Sequence, residues 1–472
     1  MNYLKLMCVV LLSAVVFAAC SDDDKEGSVR WDRKSLFMTW GESVTVGVGG
    51  DNINSYAISS VPEGWETPVV DTKTMTVTIV APAADKEGAA SSGDIKLRGT
   101  THGSELVYAN LFVSLDTPEV DFSTKPANSY LANQGGSLYR INARVKGDGS
   151  AIATHSVGVV WQSSTSFVKY LQLESDGTAT FFLAKDADNE EQIKQGNAVI
   201  GGYDKEGNLL WSWHIWAANY DAEAEALAYG DYTVMSRALG QLQNSTEDND
   251  ATLASYGMYY QWGRKDPFAG PLSYNASKGS TMTLFDGDNN TVTIKSVASD
   301  SETGNYAYTN AHPMHFVTVS DKNAAWDKGA TTDVRGWNGS TKSVNDPCPY
   351  GWRVAPAEAF EGLEIVDDLS VEDASTKYAK QYGWTLKKND VESFYFAGGR
   401  RVYTDALIQN VFDESLTRNV ATEAQPWVGY NWTADGACFA FWFNKQNPAQ
   451  SNLRNDLKFS TANGMMVRCV KE

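Results

Sequence analysis

The chain has 472 residues, with 39 lysines and arginines against 58 aspartates and glutamates, a formal charge of −19. Such a surplus of acid excludes non-specific binding to nucleic acid or to an anionic lipid surface, both of which require a basic face. The length suffices for roughly three domains of ordinary size.

The first nineteen residues carry one charge, Lys5, and an apolar run from Leu6 to Ala18 interrupted by Ser13. That run is too short to span a bilayer and suits the hydrophobic part of a secretory signal. Phe17-Ala18-Ala19-Cys20 resembles a lipobox, in which small residues admit the signal peptidase and the cysteine sulfur takes a diacylglycerol; Phe17 stands where an aliphatic residue is usual. Ser21-Asp22-Asp23-Asp24 is similar to the acidic export tag of Bacteroidetes lipoproteins displayed on the cell surface. The expectation is a signal peptide over 1–19, lipidation of Cys20 and a polar tether over 20–30. The protein would then be surface-exposed at the outer membrane, held there by its lipid and not by a basic helix. Loss of Lys5 with the signal leaves 38 bases against 58 acids, a mature charge of −20.

Cys8 leaves with the signal, so Cys348, Cys438 and Cys469 remain beside the lipidated Cys20. In an oxidising envelope, three cysteines predict one disulfide and one spare thiol.

From Trp31 the pattern is β. Ser43 to Val48 and Met75 to Val80 alternate, and Leu106 to Leu115 is a further strand, with Gly, Pro, Asn and Asp clusters between them. Short alternating runs of this kind predict a β-sandwich over 31–115. The segment Val61-Pro-Glu-Gly-Trp65, the Met75 strand and Ala81-Pro-Ala83 together resemble the BACON family of immunoglobulin-like modules. Modules of that family occur on surface glycan-processing proteins, as carbohydrate or mucin binders and as spacers; a spacer is expected here.

A second sandwich is predicted over 116–220, with strands at Leu138 to Val145, Val157 to Trp161, Ala179 to Leu183, Ala198 to Tyr203 and Leu209 to Trp216. In the last strand Leu209, Trp211, Trp213 and Ile215 share one face, and Leu210, Ser212, His214 and Trp216 the other. Tryptophan on both faces predicts a strand covered on both sides, packed between this domain and the next. Ala222 to Ala228 reads as a short helical or linking stretch. No transmembrane run, heptad or solenoid repeat follows the signal.

Four blocks follow one another after residue 221: Asp231 to Gly240 (DYTVMSRALG), Tyr256 to Phe268 (YGMYYQWGRKDPF), Asn345 to Val354 (NDPCPYGWRV) and Gly464 to Cys469 (GMMVRC). In this order, with Gly398-Gly-Arg400 and Gly429-Tyr-Asn-Trp432 as intervening turns, they resemble the Fibrobacter succinogenes major paralogous domain over roughly 230–472. The resemblance implies a C-type-lectin-like fold, related to that of formylglycine-generating enzymes, whose first and last strands meet. With a candidate helix at Pro356 to Leu363 and a terminal strand at Met465 to Val470, that closure implies a Cys348–Cys469 bridge and leaves Cys438 as a buried, inert thiol. Alternation places Cys438, Ala440 and Trp442 on one face.

Other chemistry is sparse. His312-Pro-Met-His315 lacks a glutamate at metalloprotease spacing and reads as a satisfied loop pair. No nucleophile elbow, phosphate loop or paired zinc-cysteine motif is present. Gln446-Asn-Pro448 and Arg454-Asn-Asp456 echo the calcium-lectin motifs in scrambled form, so no metal is expected. Trp427, Tyr430, Asn431 and Trp432 combine rings that can stack on a pyranose with an amide that can orient it, and are the candidate glycan site.

The expected fold is therefore mainly β with a C-terminal α+β domain: two N-terminal β-sandwich modules followed by a C-type-lectin-like/formylglycine-generating-enzyme-like domain over 221–472. The expected function is adhesion or glycan binding without turnover and without a cofactor, the partner being a glycan or host glycoprotein. The structural alternative is a subunit or tip of a lipoprotein-derived, fimbrillin-like pilus, whose partners are pilus subunits. Domains of this C-terminal family are found on some fimbrillin-like proteins, and precursors of that kind are trimmed after an arginine, for which Arg30 precedes the first domain. A formylglycine-generating-type enzyme comes third; such enzymes hold copper with two cysteines, and Cys438 has no second free cysteine nearby in sequence.

Overall fold

The computed structural model describes residues 26–247, 249–271, 281–328, 336–378, 382–409 and 427–472. The expected signal peptide, Cys20 and the Asp22 to Asp24 tag lie outside the described residues. The protein is mainly β, and it divides into two compact units between Thr117 and Pro118.

The first unit is a sandwich of two four-stranded sheets. One carries Ser28–Trp31, Ser43–Asp51, Thr76–Val80 and Val69–Asp71 in that order; the other carries Ser35–Met38, Leu106–Leu115, Ser92–Thr101 and Ile53–Ser60. Alternation decides what is inside. Val46, Val77, Ile79, Ile95, Leu97, Leu111 and Val113 form the core, with Trp31 and Trp65 closing it. The start of the chain serves both sheets: Ser28–Trp31 pairs antiparallel with Ser43–Asp51, and Ser35–Met38 pairs parallel with Leu106–Leu115.

The second unit begins as another sandwich. Its larger sheet runs Ser129–Ala132, Leu209–Ala217, Gly196–Tyr203, Ser156–Gln162, and its smaller one Lys169–Leu173, Thr178–Leu183, Ser137–Asn142, Glu119–Asp121. Trp211, Trp213 and Ile215 fill the space between these sheets with Tyr139, Ile141 and Phe181. Trp216 faces the other way, into a core shared with Leu239, Met258, Trp352, Trp432 and Met465. Both faces of this strand are thus covered, as the tryptophan pattern predicts. The larger sheet does not end with the sandwich, because Leu284–Phe285 and Thr291–Val292 extend it, Gln162 pairing with Phe285. Residue 220 is therefore no break in the packing: 118–472 shares one sheet and one core across it.

The remaining residues form small sheets joined by long loops. Leu227–Tyr229, Tyr232–Val234, Cys469–Lys471 and Trp352–Val354 make one; Ile408–Gln409, Arg400–Arg401, Gly464–Val467, Val428–Trp432, Cys438–Trp442 and Asn452–Leu457 make another. Val234 pairs with Val470, and Val354 with Cys469, so the beginning and end of 221–472 do meet. The expected terminal strand is split at Arg468, its two halves serving different sheets. The helix expected at Pro356 to Leu363 is corrected, and of the two readings of the Ala222 stretch the linking one holds as far as Leu227. Pro356 to Leu363 holds only a 3-10 turn, Ala357–Phe360, and the Ala222 stretch is a turn leading into the strand Leu227–Tyr229.

Candidate functional site

Several residues in and beside the four sequence blocks form buried joints. Irregular backbone leaves carbonyls without a ladder partner, and each needs a donor once buried. Here long cationic side chains supply several at once. Arg264 donates to the His315 carbonyl at 2.7 Å and to Gln261 Oε1 at 2.9 Å. Arg401 reaches the carbonyls of Ala269 and Ala406, and Arg468 those of Met235 and Ser236. Lys342 spans the carbonyls of Cys348, Pro349 and Trp352. Burial pulls Arg264 and Arg401 down to about 10, so both remain charged at neutral pH. Gln261 bridges further, donating to Val317 and Ala462 and accepting from the Val317 amide.

Lys265 and Asp266 cross from this block to the second sandwich. The ammonium lies 2.7 Å from Asp266 Oδ1 and 4.6 Å from the Trp211 ring centre, and the Ser212 hydroxyl donates to the same carboxylate at 2.6 Å. Both charged residues are almost fully buried. One strand turn away, His214 Nε2 meets Asn197 Oδ1 at 2.9 Å and Nδ1 meets the Tyr260 hydroxyl at 3.2 Å. Nε2 therefore donates to the amide oxygen and Nδ1 accepts from the phenol, which fixes a neutral imidazole.

Burial lowers His214 to about 3. The unfolded chain gains its proton near 6.5, so between these values the unfolded state binds more protons and stability falls as pH falls. Urea midpoints are expected to drop between pH 7 and about 4.5 by an amount containing about 2–3 kcal/mol from this residue. His214→Gln is expected to be less stable at pH 7 but to show a flatter acid dependence. Parallel curves would contradict this.

The proposed glycan cluster is corrected: Trp427 and Trp432 are fully buried, Asn431 is 2% exposed and Tyr430 7%. Trp427 donates to the Tyr378 carbonyl and packs against Trp384, Phe441 and Phe443; Trp432 donates to the Asn463 carbonyl. Gly429 leaves the space that the Phe441 ring occupies, since a Cβ there would fall 2.1 Å from it. No ring of this group offers a face to a sugar.

Cys348 and Cys469 are disulfide-bonded, with Cα atoms 6.0 Å apart. Cys438 is a free, buried thiol pushed up to about 12 by burial, and it shares a core with Ala440 and Trp442. His312 and His315 stack at 4.8 Å, and the Tyr308 hydroxyl meets His315 Nδ1 at 2.7 Å. Partial burial, with the Arg264 and Lys295 charges, lowers both imidazoles. Asp456 is taken by Arg454 in a two-point contact at 2.9 and 2.7 Å. Among the described residues no three metal-ligating side chains gather. Arg30 is not in a linker: it lies within Ser28–Trp31, opposite Gly49, and pairs with Asp51 at 3.0 Å. Its peptide bond is held in a sheet, so cleavage after it requires that strand to peel away.

An accessible aromatic surface lies instead on the first unit. Leu106, Tyr108 and Asn110 face outward from one strand, opposite Thr100, Arg98 and Lys96 of its neighbour. Tyr108 is 46% exposed and Leu106 52%, and the Lys96 ammonium sits 4.5 Å from the Tyr108 ring centre. Sequence alternation predicts the strand but not its outer face, because Val107 and Ala109 are as apolar as Leu106 and Tyr108.

No protein-family model matches the chain, and no curated protein matches it. Among solved structures it is similar to the D00-D0 domain of intimin, at a TM-score of 0.18 and 12% identity over 40% of this chain and 96% of that one. Extracellular cadherin domains 1-4 of protocadherin gamma B7 give 0.15 and 8%, over 41% of this chain and about half of that one, 51%. The I67–I69 fragment of titin gives 0.14 and 10%, over 40% and 64%. Likenesses of this size decide neither fold nor function.

Proposed function

We propose that the chain is a lipid-anchored protein of the outer cell surface that binds a glycan or glycoprotein and does not turn it over. The observation that carries the binding role is the Tyr108 face. An exposed ring on a rigid sheet, flanked by Lys96, Arg98 and Asn110, supplies an apolar platform with polar groups around it, the combination that a sugar ring requires. The anchor is proposed from the lipobox at Cys20 and the aspartates behind it. Kinship of 221–472 with the Fibrobacter succinogenes major paralogous domain, and of 31–115 with BACON modules, belongs to the same proposal. What supports the former is that several of its motif residues fill buried joints of the fold and that Tyr232–Val234 near its start pairs with the last strand, Cys469–Lys471.

The test uses intact cells and beads coated with host mucin glycans. Cells carrying the wild-type chain are expected to hold the beads. Cys20→Ala is expected to release the protein into the medium, and Tyr108→Ala to stay on the surface, as stable as wild type, with bead capture lost. Capture unaffected by Tyr108→Ala would reject the face, and a heat-resistant ladder on cells would indicate a pilus subunit.

A further inference from the structure

Most internal cations of the second unit donate to acceptors in the fold, and among the described residues Arg400 is an exception. Arg264, Arg401, Arg468, Arg237 and Lys342 each donate to backbone carbonyls, and Lys265 to a carboxylate. Arg400, beside Arg401 in the same short strand, does neither. Its guanidinium carbon lies 5.0 Å from the Tyr430 ring centre and 5.2 Å from that of Phe459, and these two rings meet edge to face at 5.7 Å. Its Nε is buried without a hydrogen-bond partner, while the residue as a whole is partly exposed. Among the described residues no carboxylate pairs with it, although acids outnumber bases 58 to 39 in the chain.

Aromatic rings hold a guanidinium in a fixed plane, and its terminal nitrogens then present two parallel donors. That fork matches a planar carboxylate, which it binds more strongly and more directionally than an ammonium does. With Nε inside the clamp, the pair left for a ligand is Nη1 and Nη2.

We propose that Arg400, clamped by Tyr430 and Phe459, is a binding site for the carboxylate of an acidic sugar, a uronic or sialic acid residue. The sugar part rests on the glycan-binding reading above; the carboxylate part rests on Arg400. The site is separate from the Tyr108 face, in the other compact unit.

The experiment titrates the full-length chain with methyl glucuronide, N-acetylneuraminic acid, neutral methyl glucoside and inorganic sulfate, followed by calorimetry. Both acidic sugars are expected to bind and the glucoside not to. Arg400→Met is expected to weaken acidic-sugar binding by roughly ten- to hundredfold, the loss of a charge-assisted pair of hydrogen bonds. Arg400→Lys keeps the charge without the fork and is expected to fall between; it serves as the test if Arg400→Met does not fold. Tyr108→Ala is expected to leave this binding intact while abolishing capture on mucin beads, which separates failure here from failure of the surface reading. Acidic sugars bound equally by wild type and both Arg400 variants would overturn the proposal. So would sulfate or the neutral glucoside binding as well as the uronate, or a loss confined to Tyr108→Ala.

Discussion

Removal of the Cys348–Cys469 bridge, as Cys348→Ala with Cys469→Ala, is expected to lower the stability of the Pro118–Glu472 unit by about 5 kcal/mol. The bridge spans 121 residues of sequence, and in the chain-entropy model a closed loop of that length constrains the unfolded chain by about that amount. Its position concentrates the effect. Cys469 opens the final strand Cys469–Lys471, which lies between Tyr232–Val234 and Trp352–Val354. Without the bridge that strand is held by its ladder, by the buried Val470 side chain and by the Lys471–Glu223 ion pair, which is exposed to solvent. The first unit has no cysteine among its described residues and should keep its own denaturation midpoint. The check is denaturant unfolding of both forms, with protease sensitivity assigned to each unit. Equal shifts in both transitions, or none in the second, would contradict it.

Lys265→Met is expected to cost about 3–5 kcal/mol, because it leaves the Asp266 carboxylate buried with the Ser212 hydroxyl and without its ion-pair partner. Asp266→Leu should cost a similar amount by stranding the ammonium. The pair together, Lys265→Met with Asp266→Leu, should cost clearly less than the sum of the single changes, since no unpaired charge remains. Denaturation of the four proteins closes a double-mutant cycle. Strict additivity would mean that the two charges do not depend on each other.

Much of the fold is legible in the sequence wherever one face of a strand is wet. Thr76–Val80 and Leu106–Leu115 alternate cleanly, and the block order after residue 221 anticipates both the closure at Val234–Val470 and the disulfide. Ser92–Thr101 is less legible. Asp94, Lys96 and Arg98 interrupt Ile95, Leu97 and Gly99, so the segment reads as charged although its inner face is buried from Ile95 onward. The glycan cluster fails for a different reason. Residue type and spacing report what Trp427 could do, but not that Trp384, from the hairpin Gly383–Lys388 and Val391–Phe396, lies across it at 5.0 Å. Covering is a property of distant sequence. In sequence Arg400 is part of a turn motif, because its lack of an acceptor among the described residues is a three-dimensional fact.

The shared sheet has a consequence for inheritance. A module that travels by recombination must arrive with its edges finished, and residue 220 is not such an edge. A crossover there would part Gln162 from Phe285 and Ser212 from Asp266, leaving each fragment with a raw strand and uncovering the buried Lys265–Asp266 pair. A crossover between Thr117 and Pro118 severs neither. Natural chimaeras and designed fusions should therefore exchange the first unit freely and carry Pro118–Glu472 as one indivisible cassette.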